Sequence, residues 1–166
     1  SLIVVDGGWW DDADYLKEQI KQRGGHVSAW FLTHAHTDHV GALLNLLQSE
    51  VDGENTGITI DHIYYNFASL DWYKKHELGD LGTADAILTA LAGLPKGEAC
   101  PVKKGDEILV DDVCITVLND RYEPDDDHVG ERDGNDASMV YRMLVNGVTI
   151  LFTGDLQVDG GNHVLE

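Results

Sequence analysis

The chain has 166 residues, 43% of them apolar, which suits one domain (1–166) with a core of its own. Formal net charge is −19, from 30 acidic residues against 11 Lys and Arg. A surface this acidic repels phosphate backbones, so long nucleic acid is disfavoured as a partner, and no apolar run reaches membrane-spanning length.

In chain order, residues 2–5 form a short β-branched run that reads as a buried strand, ended by the turn Asp6-Gly7-Gly8. The start shows no basic n-region or cleavage signature, so no signal is visible and compartment stays open. Asp11, Asp12 and Asp14 crowd a helix start, where carboxylates suit the dipole. Ala13, Leu16 and Ile20 give that helix its apolar stripe, and Gly24-Gly25 stops it. Residues 27–32 read as a second strand and 40–47 as a well-buried helix. Trp9 and Trp10 read as a packed local cover.

Residues 58–65 read as the next strand, followed by helices at 69–76 and 83–91, the second stopped by Gly93 and Pro95. Tyr64, Tyr65, Phe67, Trp72 and Tyr73 read as core and loop cover. Hairpins are expected at 107–118 and 139–152, with Asn146-Gly147 as a type I′ turn signal in the second. Between them, residues 123–136 are too charged for an element and read as a solvated loop. Cys100 and Cys114 make no disulfide framework and read as free thiols near or within strands. Strands and helices recur in both halves, which points to a layered α/β sandwich.

The chemistry sits in Thr33-His34-Ala35-His36-Thr37-Asp38-His39, where an apolar strand gives way to a helix. Side chains two apart on an extended segment share a face, so His34 and His36 can point together. Asp38 and His39, at the helix start, can face a second ion. Neutral imidazoles and a carboxylate are what zinc prefers. An ion so held draws the pKa of its bound water towards neutrality.

This His-x-His-x-Asp-His pattern after an apolar strand resembles the signature of the metallo-β-lactamase superfamily. "LIVVDGG" at 2–8 and "ILFTGDL" at 150–156 resemble two further strand ends of that family, in the same order and spacing. The resemblance spans essentially the whole chain and implies an α/β fold, an αββα sandwich of metallo-β-lactamase type. It implies that His34 and His36 bind a first ion, Asp38 and His39 a second, and that Asp155 bridges both. Zinc, as one or two ions, is the expected metal, with manganese or iron as alternatives. Asp38 would also orient or deprotonate the attacking water. Asp6 is either a support that fixes the cluster or a turn aspartate capping local N–H groups.

Two departures qualify the likeness. The family usually supplies another histidine where this chain has Gly134-Asn135-Asp136-Ala137-Ser138. Asp136 and His128 are the candidate substitutes, each more simply read as a turn or solvent-facing residue. The "N-D-A-S" stretch and the Gly-Asp-x-Ile hairpin are most similar to the hydrolase domain of competence-type DNA-uptake proteins and their stand-alone relatives. The family's opening strands and late histidine also have no counterpart, so the chain reads as an internal piece of the full domain, truncated at both ends. His163 reads as surface. An uncovered sheet edge would leave homodimerisation open.

The implied activity is metal-dependent hydrolysis of an ester, a lactone or a phosphodiester, with a small molecule favoured over long DNA by the charge. The alternative is a metal-binding or scaffold domain without turnover. A two-iron redox variant of the family would replace a motif histidine by glutamate, whereas His36 is retained.

Overall fold

The computed structural model describes residues 1–123 and 134–166. His128 and most of the acidic segment lie outside the described residues.

Three βαβ crossovers build the first sheet. Strand β1 (Ile3–Val5) leads through helix α1 (Ala13–Lys21) and the short β2 (His26–Val27) to β3 (Ala29–Phe31). Helix α2 (Thr37–Val51) and β4 (Thr59–Ile60) lead to β5 (Ile63–Tyr65), and helices α3 (Leu70–His76) and α4 (Leu81–Gly93) lead to β6 (Ala99–Pro101). The order is β1-β3-β5-β6, all parallel, as helical crossovers require.

The second sheet is a meander of antiparallel hairpins: β7 (Glu107–Val110), β8 (Val113–Val117), β9 (Tyr141–Val145) and β10 (Val148–Phe152). Asn146 and Gly147 both take positive φ (49° and 76°), the twist a two-residue type I′ turn demands. Helix α5 (Val158–Leu165) follows and packs on a 3-10 turn at Gly134–Ala137.

Strand alternation assigns the two cores. In β3, Trp30 faces the helices, joining Leu43, Leu46, Ile87 and Leu91, while Ala29 and Phe31 face the second sheet. Between the sheets Phe31 stacks on Tyr64 at 4.8 Å and meets Tyr141 edge-on at 5.0 Å. Truncating a side chain as enclosed as Leu43 would cost about 3 kcal/mol or more. The layered sandwich is therefore present, with helices over the parallel sheet and the antiparallel sheet beneath it.

Several local expectations need correction. The runs at 27–32 and 58–65 each divide in two, because β2 and β4 peel away to pair with each other while β3 and β5 stay in the main sheet. Strand β6 was unsignalled: three residues ending in proline carry no alternation. Cys100 lies in β6 and Cys114 in β8, both free. Trp9 and Trp10 are exposed rather than packed. Their backbone makes the contact instead, close enough to α2 that a Cβ on Gly41 would stand 2.6 Å from the Trp10 nitrogen.

Candidate metal centre

Where β1 and β3 end, the chain turns sharply twice, and both turns are tied together. Asp6 sits in the left-handed region (φ 54°), a conformation that costs a non-glycine residue free energy and persists only when its surroundings demand it. Its N–H donates to Phe31 O at 2.8 Å, and its carbonyl accepts from the buried Trp30 indole at 3.1 Å. The carboxylate is thereby aimed at the motif. Oδ1 accepts from Thr33 N at 2.8 Å, and Oδ2 from the Thr33 hydroxyl at 2.8 Å. Oδ2 also lies 2.8 Å from His39 Nδ1.

These contacts fix two tautomers. A carboxylate can only accept, so His39 Nδ1 carries a proton, and in the neutral ring Nε2 is the atom with the lone pair. The Thr33 hydroxyl has one proton and gives it to Asp6. Against His34 Nδ1, 3.1 Å away, Thr33 must therefore accept, and His34 Nδ1 also donates. Ser138 Oγ stands on the same nitrogen at 3.3 Å. His34 is 1% exposed, and its Nε2 is buried without a hydrogen-bond partner. Such an atom is costly to leave idle and is suited to a metal.

The electrostatics of the two rings differ. Burial, with His39 and His36 nearby, outweighs a hydrogen bond with Asn135 and pushes the His34 pKa down from 6.5 to about 2, so the ring is neutral throughout the physiological range. Burial pulls His39 down too, but the hydrogen bond and charge of Asp6, helped by Asp155 and Asp38, outweigh it and raise its pKa above 6.5.

The three motif histidines divide between two adjoining groups, and Asp38 is in neither. Ligand atoms of His34, His39 and Asp155 lie within 4.8 Å of one another. His39 Nε2 is 3.3 Å from Asp155 Oδ1 and 3.7 Å from Asp38 Oδ2. Two ligands on one tetrahedral zinc, each about 2.0 Å from it, stand about 3.3 Å apart, so the donor set fits such an ion. His36 belongs to the second group, with Glu77 and Asp80. The two groups touch, since the ring centroids of His34 and His36 are 4.5 Å apart and those of His34 and His39 are 4.1 Å apart.

Residues the sequence did not nominate complete the frame. Asn119 accepts from Val140 N at 2.8 Å and donates to Ser138 O at 2.9 Å, while Met139 N donates to Thr33 O at 2.9 Å. Together they hold the segment after Gly134 against His34. Asp136 is in neither group: its Oδ1 accepts from Gln157 N and Gly160 N at the start of α5, a cap. His163 stacks on Tyr122 at 4.7 Å and is likewise in neither group.

Fold and site together define an αββα-type sandwich carrying a histidine–aspartate cluster of metal-ligating chemistry at the ends of its central strands. The family model described as the metallo-β-lactamase superfamily matches residues 1–165, and the chain belongs to that superfamily. Among solved structures, a metallo-β-lactamase of Cronobacter sakazakii with a HARLDQ motif matches at TM-score 0.52 and 15% identity, over 90% of this chain and 50% of its own. A subclass B3 metallo-β-lactamase of Bradyrhizobium japonicum matches at TM-score 0.50 and 16% identity, over 90% of this chain and 49% of its own. Both likenesses speak for the fold, and the chain spans about half the length of these structures. No curated protein matches it.

Proposed function

We propose that the protein is a metal-dependent hydrolase of ester, lactone or phosphodiester bonds, with His34, His36, Asp38, His39 and Asp155 as metal ligands and zinc as the metal. One observation carries this reading: an idle, buried, neutral imidazole nitrogen on His34, whose ring adjoins that of His39, with ligand atoms of His34, His39 and Asp155 within 4.8 Å of one another. A bound divalent ion supplies Lewis acidity towards a carbonyl or phosphoryl oxygen and makes water acidic near neutral pH. The chain's own residues do the rest. Asp6 and Thr33 keep the imidazole protons on the far side of His34 and His39. Asp38, its side chain 39% exposed, takes the proton from the attacking water. Asp155, 48% exposed, faces the solvent side from which substrate arrives.

The "N-D-A-S" likeness to competence-type hydrolases favours a phosphodiester, and the charge of −19 favours a small one over long DNA. The test is direct. Protein purified without chelator should hold at least one divalent ion per chain by elemental analysis. With zinc or manganese it should hydrolyse bis-p-nitrophenyl phosphate or simple esters and lactones. His34→Ala with His36→Ala should abolish both. Metal retained by that double variant would refute the ligand assignment. A metal-loaded wild type inert on every substrate would leave the second reading, a metal-binding scaffold, which the absence of a histidine from 134–138 favours.

A further inference from the structure

His36 opens α2 as its N-cap residue without a side-chain capping bond, so its ring is not committed to the helix end. It meets a carboxylate from 41 residues away: His36 Nε2 is 3.2 Å from Oε1 of Glu77, the C-cap residue of α3. The two side chains are 14% and 16% exposed. Asp80, three residues on, brings a third ligand atom within 4.8 Å of both. The remaining Glu77 oxygen accepts from Gly134 N at 2.9 Å.

The carboxylate packs closely on Gly134. A Cβ there would stand 2.4 Å from Glu77 Oε2 and 2.7 Å from His36 Nε2. The segment that passes His36 thus offers only an N–H, and the room for a side chain from it is filled by Glu77. The Glu77–His36 separation is again close to the roughly 3.3 Å that two ligands of one tetrahedral ion require. His34, with its Nε2 buried and idle, adjoins this group with its ring as well as the other.

We propose that Glu77 is a metal ligand, helping His36 and Asp80 hold a divalent ion at the motif. This rests on the reading of the motif histidines as ligands. Glutamate adds a negative charge to the site, which favours a hard or borderline divalent ion.

The test is titration of metal-free protein with cobalt(II), followed by visible absorption and calorimetry. Wild type should bind at least one ion per chain. Glu77→Gln keeps an oxygen for the Gly134 N–H but loses the anionic ligand, and it should weaken binding about tenfold or more while leaving the metal-free melting temperature unchanged. A measurement without a variant runs beside it: substoichiometric manganese(II) should broaden the carboxyl carbon signal of Glu77 and spare that of Glu50. Wild-type stoichiometry and affinity in Glu77→Gln, or a Glu77 signal left sharp, overturns this proposal alone. A wild type that binds no cobalt overturns it together with the hydrolase reading.

Discussion

Asp6 Oδ2 lies 2.8 Å from His39 Nδ1, and the same carboxylate takes the proton of the Thr33 hydroxyl that stands on His34. One acidic side chain, held in a left-handed turn, therefore sets the protons of two imidazoles. It does so without being one of the two clusters, and it explains why the strand before the motif ends in aspartate.

The first prediction concerns that carboxylate. Asp6→Asn removes the charge and makes the His39 contact ambiguous. Metal affinity should fall about 10- to 100-fold, the usual effect of losing a group that orients a ligand. Histidine titration by NMR in metal-free protein should show His39 above 6.5 in wild type and lower in Asp6→Asn. The sign follows from linkage. A histidine whose folded pKa is raised contributes stability fully below its unfolded value of about 6.5 and loses it as pH rises through the raised value. Metal-free wild type should thus lose part of its margin over Asp6→Asn as pH rises there. An equal pH dependence for the two proteins would contradict the Asp6–His39 pair.

The second concerns Gly154, which precedes the cluster aspartate. Its φ is +54°, and a Cβ would stand 2.7 Å from the Thr33 hydroxyl and 2.8 Å from that of Ser138. Alanine meets both obstacles, backbone strain and collision with the two hydroxyls that hold His34 Nδ1. Gly154→Ala should cost about 1–3 kcal/mol in urea denaturation of metal-free protein. It should also weaken metal binding. Unchanged stability would mean that the approach is looser than these distances.

Gly134 provides a contrast, and the third prediction. Its backbone is not left-handed, so alanine brings no conformational strain; the conflict lies with the side-chain ends of Glu77 and His36 and, less closely, the Tyr73 hydroxyl at 3.3 Å. Gly134→Ala should leave the denaturation midpoint of metal-free protein nearly unchanged while lowering the affinity of the ion at His36. Loss of stability equal to that of Gly154→Ala would show that the segment is packed more tightly than its contacts indicate.

What could be read from sequence divides along a physical line. That His34, His36 and His39 come together was legible because their spacing is local, and that Asp155 joins them because it follows a strand of recognisable pattern. The four parallel strands were three-quarters legible, since β1, β3 and β5 carry continuous apolar runs and β6 does not. Glu77 was not legible: its place depends on how α3 ends against a histidine 41 residues earlier. The pairing of His34 with His39 and Asp155, and of His36 with Glu77 and Asp80, depends likewise on the way α2 leaves the strand. Trp9 and Trp10 misled because a backbone can pack closely on a glycine while its indoles stay in water.

The last prediction concerns the uncovered edge of the second sheet. Strand β10 ends the order β10-β9-β8-β7. Register places Ile150 opposite Met143 and Val148 opposite Val145, on the face that elsewhere forms the core, yet Val148 and Ile150 are exposed. On the opposite face Leu109, Leu144 and Leu151 are exposed as well. Among the described residues no further strand pairs with β10, and such an edge with apolar side chains on both faces is prone to pair with another strand. The chain should sediment as a homodimer at high micromolar concentration. Val148→Lys with Ile150→Lys places charge along that edge and should return it to a monomer, with cobalt binding at the cluster retained. A wild type that stays monomeric across the whole concentration range would show that the net charge of −19, which repels one copy from another, outweighs the exposed edge.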